Sequence, residues 1–224
     1  MDASQFAMEE KDRAAALAAL RAAGVRIPCA DGVVVTGGVQ VGAGTLILPG
    51  SILCGNTVIG EHCVIGPNSV LCDTTVGSRA VLNNVQSEGA EIGADCEIGP
   101  WVRLRPGTKL GQRLRIGNFV ELKNANIGDA TKIAHLSYIG DADFGKAINV
   151  GCGLAVANYD GKQKHRAQVG DGAFIGCHNS LVAPVSVGPG AYTAAGSVIT
   201  EDVPAGGFAV ARARQVNKEG RGQR

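Results

Sequence analysis

One histidine, one basic stretch and one polar loop hold the residues of this chain best suited to chemistry. His135 stands in the segment HLSYIGD. A neutral imidazole takes up and returns a proton near neutral pH, so a histidine facing a cleft can act as a general base. A lone histidine on a rigid scaffold is more often structural, and the residue by itself does not choose between the two. Between Arg103 and Lys132 lie Arg103, Arg105, Lys109, Arg113, Arg115, Lys123 and Lys132, against only Glu121 and Asp129. Most of these read as an ordinary solvated face. Arg105 and Lys123 are different: they are eighteen residues apart and occupy the same place in a repeat described below. Arginine offers a planar fork of donors for phosphate and lysine a compact charge, so the pair suits one anion. The third feature is NYDGKQKHRAQ, from Asn158 to Gln168, which is polar, basic and placed to loop out of the fold.

The other histidines test a metal reading. Three histidines converging on one point would suit zinc and a hydration reaction. His62 and His178 are far apart in the chain, His135 has a different place in its repeat, and His165 is in the loop. No three fall on neighbouring corners within one chain, although an interface between chains could still combine them. No metal is expected.

The element that must position these groups is a six-residue repeat. An aliphatic residue recurs at Val41, Ile47, Leu53, Ile59, Ile65 and Leu71, with a small residue four places on at Thr45, Ser51, Thr57, Cys63, Ser69 and Thr75. The register returns at Ile92, Ile98, Leu104, Leu110, Ile116 and Leu122, then at Ile127, Ile133 and Ile139, and again from Val169 to Ile199. This period predicts an all-β fold, a parallel β-helix of hexapeptide repeats. Three hexapeptides make one triangular coil of roughly eighteen residues, which is what stacks Arg105 on Lys123. The 33 glycines and 4% aromatic content suit a narrow prism with many corners. Phe6 to Ala23 reads as a helix capping the first coil, with Asp2 or Ser4 at its start and Gly24 as its stop. The domain expectation is a helix and connector over 1–30, the β-helix over 31–210 and a basic tail over 211–224. The pattern slips between Val76 and Gly89, which predicts a bulged corner.

Composition excludes several classes. A net charge of +1 argues against a protein dominated by nucleic-acid backbone binding. No apolar run reaches transmembrane length and the first residues lack a signal-peptide core, so a soluble, cytoplasmic chain is expected, with no membrane partner. The seven cysteines are odd in number and show no paired spacing, which predicts free thiols in a reducing compartment. Cys63 and Cys96 fall in the small interior slot of their repeats.

The segments RLRPG (103–107), GNFVELKNA (117–125), HLSYIGDA (135–142), NVGCG (149–153), NYDGK (158–162), LVAPV (181–185), AAGSVI (194–199) and ARQVNKEG (213–220) occur together and in order. In them the chain resembles the C-terminal acetyltransferase domain of the bacterial bifunctional GlmU family, the N-acetylglucosamine-1-phosphate uridyltransferase/glucosamine-1-phosphate N-acetyltransferases. The resemblance implies a left-handed β-helix, a homotrimer with sites where subunits meet, and acetyl transfer from acetyl-CoA to the amino group of glucosamine 1-phosphate. That product feeds UDP-N-acetylglucosamine and hence peptidoglycan and cell-wall synthesis. By motif, His135 is implied as the base, and Arg105, Lys123, Tyr138 and Asn149 as ligands of the amino sugar phosphate. Cys152, Asn158, Tyr159, Cys177, Ala195 and Arg212 are implied on the acetyl-CoA side.

Two matched positions depart from the family. Cys152 stands where alanine is usual and Cys177 where serine is usual. A backbone N–H at the first position survives the change. A thiol at the second is a poorer hydrogen-bonding partner than a hydroxyl, so weaker acetyl-CoA binding or a shifted acyl preference is expected. A thiol also opens a covalent acetyl-cysteine route, which direct transfer does not need. The resemblance covers only the second half of the family protein. The uridyltransferase half and its magnesium have no counterpart in this sequence, which leaves that step to a separate uridyltransferase or to a longer chain. The initial methionine favours a complete gene product or an engineered start. Two other readings stay open: N-acylation of a related amino sugar phosphate or nucleotide sugar, and a non-catalytic solenoid that binds sugar nucleotides.

Overall fold

In the computed structural model, which describes residues 6–218, short strands from Val34 to Ala209 form one parallel 25-stranded sheet wound into a left-handed β-helix. The repeat dictates this. Each aliphatic residue at the head of a hexapeptide points inward and stacks on its equivalent one coil away. Three inner columns result. The first face carries Ile98, Ile116, Ile133, Val150, Ile175 and Thr193. The second carries Leu104, Leu122 and Ile139, then Val156, Leu181 and Ile199. The third carries Leu110, Ile127, Phe144, Val169 and Val187. Leu122, Ile133 and Ile139 have no exposed surface. Burying each such side chain is worth about 1.5–3 kcal/mol.

The small residue of each repeat has a second task. Thr45 donates to the Gly60 carbonyl at 2.8 Å, Ser51 to Leu48 at 2.7 Å and Thr57 to Cys54 at 2.7 Å. These hydroxyls find carbonyl acceptors at the corners, so their own buried polar groups are satisfied, which is why short polar residues are tolerated in the core. The corners adopt left-handed backbone even where no glycine is present: His62, Asn68, Trp101, Phe119, Leu136 and His178 all have φ between 45° and 59°. A side chain there costs about 1–2 kcal/mol. Corner hydrogen bonds between coils, such as Trp101 N–H to Asn84 at 2.9 Å and Phe119 N–H to Trp101 at 3.1 Å, offset that cost.

Three expectations change. The helix α1 spans Glu10–Ala22 rather than starting at Phe6, with Glu9 at its N-cap and no capping side chain; Asp2 and Ser4 lie outside the described residues. Gly24 ends it with φ +86° as expected, and Leu17 packs on the first coil while Arg13 donates to the Ala30 and Val33 carbonyls. The slip between Val76 and Gly89 is a shortened coil, not a bulge. Ile52 pairs with Val70 eighteen residues on, but Val70 pairs with Gln86, two residues short of that step. Ser87 takes the aliphatic slot there and shares a 2.9 Å hydrogen bond with Thr74 inside the prism. Finally, Cys54 and Cys72 are joined as a disulfide, with Cα atoms 4.6 Å apart. The eighteen-residue step places them on facing rungs of one column, a pairing that is invisible unless cysteines are counted by coil. Cys63 and Cys96 are buried free thiols, as expected, and burial pushes both thiol pKa values up.

Candidate active site

The coils that hold the candidate residues are built around two long strands, Arg115–Ile127 and Lys132–Phe144, paired in register from end to end. They run continuously around the corners, so outward side chains on successive faces are held by one rigid ladder. The register sets Asn118 against His135, Glu121 against Tyr138, Lys123 against Gly140 and Asn126 against Asp143.

His135 sits exposed at the corner between the first and second faces. Its Nδ1 is 2.9 Å from Asn118 Oδ1. An amide oxygen only accepts, so Nδ1 carries a proton, and in the neutral imidazole Nε2 is then the nitrogen with the free lone pair. Asn118 was not singled out by sequence reasoning, although it lies within GNFVELKNA; the signal was its position one coil before His135. His135, Asn118 and Asn149 line one open groove of about 600 Å³ together with Arg115 and Lys132. An apolar shelf borders it: Trp101 and Phe119 stack with ring centres 5.3 Å apart, and with Leu136 they form a column more than half exposed.

Four of the residues implied on the acetyl-CoA side continue that corner upward. Gly153 N–H reaches the His135 carbonyl, His178 N–H the Cys152 carbonyl at 2.7 Å, and Gly196 N–H the Cys177 carbonyl at 2.8 Å. Cys152, Cys177 and Ala195 are therefore stacked above His135 in successive coils. Arg212 lies beside Gly196, with its Cδ in van der Waals range of a Cβ placed there.

The residues implied as anion ligands lie across the second face. Arg105 and Lys123 are on adjacent rungs, with Arg105 N–H donating to Leu122 at 2.8 Å, as their spacing predicts. Arg105 also pairs with Glu121 at 3.0 Å. Lys164, which sequence reasoning left inside a generally basic loop, contacts Lys123. That contact, with desolvation and Arg105 adding to it, holds the Lys123 ammonium below the usual lysine range, against a smaller opposing pull from Asp141. Arg105, Lys123 and Lys164 face only Glu121 and Asp141 here, and the surplus of positive charge favours an anion beside them. Tyr138 lies along this face because Gly140 has no side chain: a Cβ there would meet the Tyr138 hydroxyl at 2.5 Å and Asn158 Nδ2 at 3.0 Å.

The loop that delivers Lys164 is tied down at both ends. Asp141 is buried between Asn124 and Asn158, which both donate to it. Burial opposes its ionisation, but those two amides, with Lys164 and Lys123 nearby, outweigh burial and lower its pKa. At the other end Arg166 grips Asp143 through two hydrogen bonds, of 2.8 and 2.6 Å, and donates to the Ala142 carbonyl. This lowers the Asp143 pKa and raises that of Arg166. Within the loop, Asp160 accepts from the Lys162 and Gln163 N–H groups and pairs with His165 at 2.8 Å.

The structure thus divides the implied residues. His135 and Asn149 share a groove, Cys152, Cys177, Ala195 and Arg212 form a column above it, and Arg105, Lys123 and Tyr138 sit on the second face. Asn158 and Tyr159 stand at the next corner, where Asn158 is buried with its amide given to Asp141 and Tyr159 is exposed.

Comparison with known proteins agrees with this architecture. Residues 38–73 match the bacterial transferase hexapeptide family (six repeats), and 166–201 match the hexapeptide repeat of succinyl-transferase. Over 81% of its length the chain is 50% identical to the Bifunctional protein GlmU of Geobacillus sp. and 51% identical to that of Caldicellulosiruptor saccharolyticus, in each case across 39% of the relative. The fold is shared with the UDP-N-acetylglucosamine acyltransferase of Francisella novicida, at 18% identity and a TM-score of 0.56 over 80% of this chain and 65% of that one. The chain spans about two fifths of the curated relatives it matches. It is a hexapeptide-repeat protein homologous to that portion of the bifunctional GlmU proteins.

Proposed function

We propose that the chain is an acyltransferase that moves the acetyl group of acetyl-CoA to the amino group of glucosamine 1-phosphate. The observation that carries the reading is the His135–Asn118 pair set in a groove one face away from the Arg105–Lys123–Lys164 cluster. A solenoid that only binds or scaffolds has no use for a histidine whose tautomer is fixed beside a phosphate-sized concentration of charge.

In this reading the cluster holds the sugar phosphate, and Tyr138 and Asn149 orient the ring. The amine lone pair attacks the thioester carbonyl carbon while His135 Nε2 accepts the amine proton. The tetrahedral intermediate collapses by breaking the carbon–sulfur bond, and the imidazolium returns the proton to the departing thiolate. Asn118 keeps Nδ1 protonated throughout. Cys152 and Cys177 flank the acyl group, and Arg212 meets the negatively charged end of the donor.

The division of residues between corners supports assembly as a homotrimer, with the groove and thiol column of one copy completed by Asn158, Tyr159 and the cation cluster of the next. The exposed Trp101–Phe119–Leu136 column is an apolar surface such an assembly would cover. The product's uridylylation falls to a separate activity. Among the described residues no helix is long and apolar enough to cross a membrane, which suits a cytoplasmic enzyme acting on small molecules.

The test is thiol release from acetyl-CoA across a panel of amino sugars: glucosamine 1-phosphate, glucosamine 6-phosphate, UDP-glucosamine and glucosamine. Highest kcat/KM with glucosamine 1-phosphate is expected. A preference for the nucleotide-linked sugar would move the acceptor, and no release with any amine would favour a binding solenoid.

A further inference from the structure

Cys152 and Cys177 occupy facing rungs. Asn149 pairs with Phe174 and Val150 with Ile175, so the two cysteines follow in the same register, and His178 N–H to the Cys152 carbonyl at 2.7 Å closes the coils at that point. Neighbouring rungs of a parallel sheet lie about 4.8 Å apart, inside the roughly 4.4–6.8 Å Cα range that a disulfide spans. Cys54 and Cys72, also one coil apart though one place nearer their aliphatic residues, are bonded. The remaining buried thiols behave otherwise. Cys63 and Cys96 are sealed in the prism and donate to carbonyls of Gly77 and Gly111. Cys152 is half-buried and Cys177 exposed, both free and both above His135.

We propose that Cys152 and Cys177 form an oxidisable pair, and that their disulfide closes the acyl-donor side of the groove. The oxidant is a low-molecular-weight disulfide. The Cys177 thiolate attacks one of its sulfurs and expels one thiolate, giving a mixed disulfide. The Cys152 thiolate then attacks the Cys177 sulfur and expels the second. Two cysteine thiols are oxidised, one small disulfide is reduced to two thiols, and the two cysteine protons go to the leaving thiolates. The effect on turnover rests on the proposed acyl-donor role of this corner; the formation of the bond does not.

The test treats the full chain with oxidised glutathione, blocks remaining thiols and digests with trypsin. Cleavage after Lys146, Lys162, Arg166 and Arg212 puts Cys152 in peptide 147–162 and Cys177 in peptide 167–212. Joined peptides that separate on reduction are expected, with at least about a tenfold loss of kcat/KM restored by dithiothreitol. Acetyl-CoA should slow the joining, and Cys152→Ser should stop at a stable glutathione adduct on Cys177. A stable adduct on the unaltered chain, or no joined peptides, overturns the pair. Joined peptides with unchanged turnover overturn the closure. Should the reduced protein acylate no amine, the proposed reaction fails, while the peptide map still decides the bond by mass alone.

Discussion

The lower coils, from Val34 to Ile92, and the upper coils, from Ile98 to Ile199, share one interior and differ in their outer faces. Ile47, Leu53, Ile65 and Leu71 below are as fully buried as Leu104, Ile116, Leu122 and Ile133 above. Outward positions below are filled by residues such as Val58, Val64 and Val81, joined only by short strands. Above, equivalent positions carry Arg115, Glu121, Lys132 and Tyr138 on two long strands, with Asn149 paired to Lys132 on the next rung and a loop overhanging them. Inner and outer positions of a strand face opposite ways, so the core can be repeated unchanged while the surface is rewritten for chemistry. The two regions should therefore fail differently when altered.

The sharpest contrast is expected at His135. His135→Ala should lower kcat by about 10²–10⁴-fold with little change in unfolding midpoint, because the side chain is exposed and holds nothing but Asn118. Asn118→Ala should lose less, and mainly in kcat, since the base survives without its fixed tautomer. Equal turnover in wild type and His135→Ala would remove the base and with it the main distinction of the upper coils.

The converse belongs to the lower coils. Leu53→Ala leaves a void in a column with no exposed surface and should cost about 2–5 kcal/mol. Urea unfolding measures that, and kcat at a temperature where the variant stays folded should hold. A large drop in kcat would show that the lower coils shape the site rather than only support it.

A smaller effect is expected from Lys164→Ala. Removing one of three clustered cations should raise KM for the sugar phosphate about tenfold and leave kcat nearly unchanged, since a charge-assisted contact is worth about 1.5–3 kcal/mol before solvent screening. The Lys123 ammonium should also titrate higher, having lost the neighbour that depresses it. A rise in KM that is the same for unphosphorylated glucosamine would show that Lys164 does not face the phosphate.

These contrasts also mark what the sequence could tell. The repeat predicts the prism, the inner columns and the adjacency of Arg105 and Lys123, because all three depend only on counting residues per coil. It fails at Val76–Gly89, where a coil loses two residues and a serine takes an aliphatic slot. It misses Cys54–Cys72, which are eighteen residues apart like Arg105 and Lys123, because an odd number of cysteines without close spacing reads as free thiols unless the cysteines too are counted by coil. Asn118 and Lys164 were overlooked for opposite reasons. Asn118 is an uncharged residue whose importance comes entirely from the rung above it. Lys164 is one of several charges in a loop, and only the anchoring of that loop by Asp141 and Arg166 shows which of them lies beside Lys123.

The smallest expected effect separates loop from scaffold by acid. The Gln163 N–H is the first cause of the Asp160 carboxyl lying at about 2 instead of its ordinary 3.8, followed by the hydrogen bond from His165 and then the Lys162 N–H. A carboxylate whose folded pKa is depressed stabilises the folded loop fully above its ordinary value and loses that contribution as pH falls through about 2. Amide exchange at Lys162 and Gln163, compared at matched intrinsic rates, should therefore lose protection on going from pH 4 towards about 2, while amides of the inner ladder, such as Leu122 and Ile139, keep theirs. Asp160→Asn should remove the step and leave the ladder protected. If ladder and loop amides lose protection together, the loop is part of the cooperative solenoid, and the division between a repeated core and a separately held functional surface fails at the place where it is easiest to see.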